Sequence, residues 1–257
     1  DVYKRQNRHN SIIFIIAIFL LSGCSNFNNR QLELALQTAG SNRQELEKVM
    51  QHYKGDKQKE NAARFLIQNM LGKYYLEGDK IDQFHHFIDS VYQIEQEEYD
   101  QQTINKTYRT NNNLQRSSFK QQTDLQQLKA DFLITQIDAA FLTWQKPWNK
   151  HLSFEDFCEW ILPYRIGNEL PETWREQYYN TFSGLLTDSI STAHDACVAI
   201  NNELIKLPIH IFTDFPKPAD IKPSSLIHIK FGLCGDYTHL AVYAMRSVGI
   251  PVSTGVI

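Results

Sequence analysis

The chain has 257 residues, 42% of them hydrophobic and 12% aromatic, which is enough to bury the core of one large or two ordinary domains. A formal net charge of -3 leaves no basic footprint, so nucleic acid is excluded as an expected partner, and no other partner follows from charge. The four cysteines, Cys24, Cys158, Cys197 and Cys234, form no C-x-x-C pair and no His/Cys spacing of a zinc site, so neither a metal nor a cofactor is expected.

Taken in order, the first 24 residues read as an export signal. Lys4, Arg5 and Arg8 form a basic start, and Ile12 to Leu21 an apolar run of signal-peptide length that is too short to span a bilayer comfortably. The run ends Leu21-Ser22-Gly23-Cys24, which resembles a lipobox, where cleavage before the cysteine leaves Cys24 as a lipidated N-terminus. The alternative is an ordinary signal peptide or a short membrane helix in which Cys24 has no special role. Basic residues, run length and the four-residue box agree on lipidation. The expected location is therefore the cell envelope, lipid-anchored to the outer membrane of a Gram-negative bacterium, with at least one of the other three thiols free.

From about Arg30 the pattern turns helical. Asn42 or Ser41 is placed to cap a helix through Tyr53, with Glu45 completing a capping box, and a second helix is expected to follow Gly55, with helical spacing within 61–75, antiparallel to the first. A third should run over 81–98 with Phe84, Phe87, Ile88, Val91 and Tyr92 inward. Its neighbours His85 and His86 point about 100° apart and cannot readily chelate one ion together, so they are read as core or surface histidines. Residues 100–122 are polar, without sustained periodicity, and are expected to be an exposed connection, in part helical.

A helix over 123–144 and a shorter one over 154–162, capped by Ser153, come next. Tyr164, Arg165 and Glu169 either belong to a substrate groove or, as the favoured reading, Arg165 and Glu169 pair to lock one helix on the next. Cys158 is read as a small core residue. Helices are expected over 173–186 and 192–205. On the latter His194 and Cys197 stand three residues apart, but Cys197 lacks a helix terminus to activate it and should be buried and inert. Pro208, Pro216, Pro218 and Pro223 then mark an extended, irregular approach.

That approach leads into Gly232-Leu233-Cys234-Gly235-Asp236-Tyr237, after which apolar residues at 237, 240, 241, 244, 245 and 248 describe a helix that buries one face. Gly249 and Pro251 supply its cap and stop, while Gly232 and Gly235 loosen the backbone at its start. Cys234 stands at the helix N-terminus, where free N–H groups and the dipole favour a thiolate over a thiol.

The run G-x-C-x-D-Y-x-x-L…R-x-x-G-I-P-V, from Gly232 to Val252, closely resembles the nucleophile helix of the transglutaminase-like superfamily, whose members have a papain-like fold. The resemblance covers about the last 50 residues, and the upstream chain looks like the helical region that precedes such cores in some bacterial lipoproteins. It implies an α+β protein: a mainly helical domain over 25–205, then the N-terminal part of a transglutaminase-like core over 206–257. It also implies a cysteine-dependent amide hydrolase or acyl transferase, of peptidase or amidase type, acting through Cys234 on a peptide, protein or glycopeptide. The family's histidine and aspartate follow the cysteine helix on strands, yet six residues follow Pro251 and none is His or Asp. The chain is therefore expected to be a piece of a longer protein and inactive alone, with an apolar side of the cysteine helix lacking cover.

No local residue is assigned as the base. His239 lies five positions after Cys234, about 140° round and roughly 7.5 Å along the helix, out of hydrogen-bonding reach. His228, six positions before, has nothing in the sequence to orient it. The alternative function is a non-catalytic surface lipoprotein that binds peptide or glycan.

Overall fold

The computed structural model describes residues 29–93, 100–111 and 119–254, and the signal segment with Cys24 lies outside them. Helices dominate, with two small two-stranded sheets among the described residues, a mixed architecture compatible with the α+β class.

The first helices are α1 (29–38), α2 (Arg43–His52) and α3 (Lys57–Gln68). Asp56 caps α3, which follows Gly55 as expected, by accepting the Lys59 N–H at 3.1 Å. The residues read as a local capping box for α2 act at long range instead. Asn42 donates to the carbonyls of Leu125 and Leu128 at 3.0 and 2.8 Å, and Glu45 accepts the Ala130 N–H at 3.0 Å. Those bonds explain why the helix expected over 123–144 is broken into α6 (Asp124–Gln127) and α7 (Ala130–Trp144), with Leu128 and Lys129 extended between them. Side chains from α2 take backbone groups that a continuous helix would have used.

Between these parts lie β1 (Tyr74–Glu77), α4 (Asp79–Tyr92), α5 (Gln101–Asn111) and β2 (Lys120–Thr123). β1 and β2 pair antiparallel in the register Tyr74 with Thr123 through Glu77 with Lys120. The stretch expected to be an exposed connection, in part helical, supplies the helix α5 and, beyond the expectation, most of a strand. Asp100 opens α5 by accepting the Thr103 N–H at 2.8 Å, and Tyr108 is fully buried against Phe84, Phe87 and Phe215.

The remaining elements are α8 (Phe154–Trp160), α9 (Arg175–Phe182), α10 (Ala193–Leu204), β3 (His210–Ile211), α11 (Pro223–Leu226), β4 (Phe231–Gly232) and α12 (Cys234–Ser247). Ser153 caps α8 as expected and Thr192 caps α10, each accepting an N–H three residues on.

Buried apolar residues gather in two clusters. One unites α1, α2, α3, α6, α7 and α8, and the other collects α4, α5, α9, α10, α11 and α12. In the second, the rings of Trp174 and Tyr178 on or beside α9 pack on Tyr243 of α12 with centroids 4.5 and 5.6 Å away. Truncating a ring of that kind to Ala costs about 3–5 kcal/mol. α12 is amphipathic only in its first half: every residue from Val242 to Ile250 is buried, so the apolar side expected to lack cover has it. α9 and α10 supply much of that cover.

Candidate active site around Cys234

β3 and β4 pair in parallel, His210 with Phe231 and Ile211 with Gly232, and the rings of Phe212 and Phe231 stack at 4.8 Å. This clamp turns the proline-rich segment 212–222 back past the start of α12. Cys234 is the first residue of that helix, three positions ahead of the expected apolar start at Tyr237. Leu233, at the cap position, has no side-chain acceptor to offer. Asp236 supplies half of a capping box instead, its Oδ2 accepting the Leu233 N–H at 2.9 Å.

Gly232 and Gly235 flank the start of α12, and neither has a positive φ. A Cβ on Gly232 would press on the Asp236 side chain at 3.1 Å, whereas one on Gly235 would meet open space. The helix end does match: Gly249, at φ 81°, donates to the Arg246 carbonyl at 3.1 Å and Ile250 to that of Met245 at 2.9 Å. These two bonds form a Schellman cap.

The three described thiols differ sharply. Cys234 is exposed, and no hydrogen bond to its sulfur is found among the described residues. Cys158 is buried, and burial pushes its thiol up to about 12, with Glu155 and Glu159 adding to the effect. Cys197 is half-buried rather than buried, its sulfur 3.9 Å from that of Met245, while His194 is exposed.

Asp236, His239 and Tyr243 follow one another at i, i+3 and i+7 along one face of α12. Against that face lie Glu169 from the loop after α8, and Lys217 and Asp220 from the proline-rich segment. Ligand-type atoms of Glu169, Asp220 and His239 come within 4.8 Å of one another. Glu169 is fully buried and accepts from the Ile166 and Gly167 N–H groups at 2.6 and 2.7 Å and from the Tyr243 hydroxyl. Asp220 accepts from the Asn168 N–H at 3.0 Å and pairs with Lys217 at 3.2 Å, while Lys217 also pairs with Asp236. Gly167 makes the approach possible, since a Cβ there would collide with Asp220 Oδ2.

Burial works against the Lys217 ammonium, but Asp236 and Asp220 outweigh it and raise its pKa. Burial likewise opposes the Asp220 carboxylate, yet the Asn168 N–H and the charges of Lys217 and His239 hold it below its ordinary value. The set has one nitrogen and two oxygen ligands suited to a divalent metal. N–H and O–H donors already occupy the carboxylates, and Lys217 supplies positive charge. The group thus works as a hydrogen-bonded ion network that fastens two loops to α12.

Sequence reasoning missed this network because its members lie at 167–169, 217–220 and 236–243. The one local signal was the Gly167-Asn168-Glu169 run. The expected Arg165–Glu169 ion pair does not form: Arg165 pairs with fully buried Asp124 at 2.9 Å, which also accepts from the Tyr164 hydroxyl. Tyr164, Arg165 and Glu169 are all buried. His228 is exposed, and no contact brings it to Cys234.

Arg246, part of the quoted motif, donates from Nε to the carbonyl of Trp160 at 3.0 Å and from Nη2 to that of Val252 at 3.2 Å, tying the chain after α12 back to α8. A cleft of about 750 Å³ between the β1–β2 strand pair and segment 216–220 reaches Asn168, Lys217 and Asp220, and Cys234 is not in its wall. Comparison of the chain with family models, curated proteins and solved structures finds no match.

Proposed function

We propose that the chain is part of a cell-envelope lipoprotein whose transglutaminase-like, papain-like core carries out thiol-dependent amide chemistry through Cys234. The observation that supports this reading is an exposed thiol on the first residue of a well-anchored helix, in a chain where, of the other two described thiols, one is buried and one half-buried. The Cys234 thiolate attacks an amide carbonyl. The carbonyl π electrons move to oxygen, where the N–H groups of Cys234 and Gly235, which have no earlier turn of α12 to bond to, are the donors nearest to hand for the charge that forms. The C–N bond then breaks, the leaving amine takes a proton, and a thioester remains for water or a second amine to resolve. The resemblance gives the proton-handling base as a histidine oriented by an aspartate, and neither stands at the matching positions of these 257 residues.

A second reading, a non-catalytic binder of peptide or glycan at the cell surface, draws on the 750 Å³ cleft that lacks Cys234 in its wall. Iodoacetamide footprinting with peptide mass mapping separates the two. Modification of Cys234 well ahead of half-exposed Cys197, together with capture of a peptide-amide acyl group by wild type and not by Cys234→Ser in the complete reading frame, supports the hydrolase. Equal modification of both thiols and no acyl capture overturns it. Metabolic labelling with a fatty-acid probe, lost in Cys24→Ser, tests the anchor.

A further inference from the structure

A cavity of about 220 Å³ opens between α3, the loop after α8 and the C-terminal end of α12. Arg246 in its wall is twelve residues from Cys234, about 18 Å along the helix, so this site is separate from the proposed nucleophile. Lys73, Arg165 and Arg246 line it, against one carboxylate, that of exposed Glu159, and the hydroxyls of Ser253 and Thr254 stand at its edge.

The charges in this wall are poorly neutralised. Arg165 and Arg246 are 3% and 6% exposed. Arg165 spends Nη1 on Asp124 and Nη2 on the Tyr74 carbonyl. Arg246 meets no carboxylate at ion-pair distance among the described residues; its carbonyl partners fill hydrogen bonds without cancelling charge. Each guanidinium keeps one buried nitrogen, Arg165 Nε and Arg246 Nη1, without a hydrogen-bond partner. The Lys73 ammonium has no ion-pair partner among the described residues either, and its pKa is lowered by burial first and by the Arg165 charge next, with Arg246 contributing, against the opposing pull of the Asp124 and Glu169 carboxylates. Arg175, fully enclosed beneath, adds a fourth cation whose guanidinium donates to the Arg246 carbonyl at 3.5 Å. Buried cations in excess of their counter-ions are unfavourable unless an anion joins them.

We propose that Lys73, Arg165 and Arg246 form a site for a small oxyanion, a phosphate or carboxylate group, seated in this cavity. Guanidinium groups suit such ligands because their planar fork matches two oxygens, while the lysine adds a point charge. The volume lies below the roughly 300 Å³ at which pockets for drug-sized ligands begin, so the ligand is a small ion or the charged end of a larger molecule.

Isothermal titration of the purified 257-residue protein with inorganic phosphate and, separately, with succinate at constant ionic strength in chloride tests the site. The expected result is saturable 1:1 binding of at least one of them, with a matching rise in melting temperature. Phosphate alone identifies a phosphate group, succinate alone a carboxylate, and both a general oxyanion site. Lys73→Gln removes a half-buried charge that makes no ion pair in the fold and should weaken binding about tenfold. Glu159→Gln, which removes the repelling carboxylate from an exposed position, should tighten it. Failure of both anions to saturate above the chloride background, or unchanged affinity in both variants, overturns the proposal.

Discussion

The ammonium of Lys217 rests on Asp236 Oδ1 while Asp236 Oδ2 takes the Leu233 N–H at 2.9 Å, so one buried carboxylate fixes both the first turn of α12 and the loop that passes it. Removing Lys217 strands the Asp236 carboxylate, and removing Asp236 leaves Lys217 with Asp220 as its one ion-pair partner among the described residues. Asp236→Ala and Lys217→Met should each lower stability by about 3 kcal/mol, as broken buried pairs do. The double variant should cost clearly less than the sum, because the carboxylate and the ammonium of the pair leave together and Asp220 keeps the Asn168 N–H. Urea unfolding of the four proteins checks the cycle, and additivity within about 0.5 kcal/mol would remove the coupling claimed here.

A second prediction concerns acid. His85 is buried on α4 with Nδ1 unpartnered, and burial first, then the Lys222 charge with a smaller push from His86, depress it from 6.5 to about 4 against the opposing pull of Asp89 and Asp82. In the unfolded chain it protonates near its ordinary value, so between those two values the unfolded state holds the extra proton and stability falls as pH falls. The full effect is about 3 kcal/mol, reached near pH 4. Asp220, held below its ordinary value, withdraws its contribution only at still lower pH, and Lys217, raised, withdraws its own only in strong alkali. His85→Leu should therefore flatten the stability profile from pH 6.5 to 4 and leave the more acidic limb. Denaturant midpoints across that range measure it, and an unchanged slope would sink the assignment.

Periodic apolar stripes and short caps were legible in the sequence: α8 with Ser153, α10 with Thr192, and the Gly249 cap of α12 all stand where local spacing put them. Bonds between distant residues were not. Asn42 and Glu45 look like a cap for their own helix, yet they hold Leu125, Leu128 and Ala130, about 85 positions away, and the broken helix there follows from that. Tyr108 was hidden for the opposite reason, since a single large ring in a polar helix makes no stripe. Cys234 could be found because a helix start is a local feature. The ion network of Glu169, Asp220, Lys217 and Asp236 could not, because three separate stretches meet only when β3 and β4 pair.

Gly249 carries a prediction of its own. Its φ of 81° lies in the left-handed region, and a Cβ there would run into the Thr143 carbonyl of α7. Its own carbonyl accepts from Asn149 Nδ2 at 2.7 Å and from Trp148 Nε1 at 3.3 Å. Gly249→Ala should cost about 2 kcal/mol from backbone strain, with the clash adding to it. Gly235→Ala, at a position with open space and ordinary φ, should change stability little, and equal losses at the two sites would contradict the geometry.

The thiols give the last contrast. Cys234 is exposed and its sulfur supports no other residue, so Cys234→Ser should shift stability by no more than about 0.5 kcal/mol. Cys158 is 2% exposed in the cluster that joins α3, α7 and α8, and Cys158→Ser places a hydroxyl in that apolar setting at a cost of about 1–3 kcal/mol. The pair of variants separates a residue kept for reactivity from one kept for packing. If Cys234→Ser instead destabilised the protein as much as Cys158→Ser, the thiol would be a structural element of the α12 start, and the nucleophile assignment would lose the observation on which it stands.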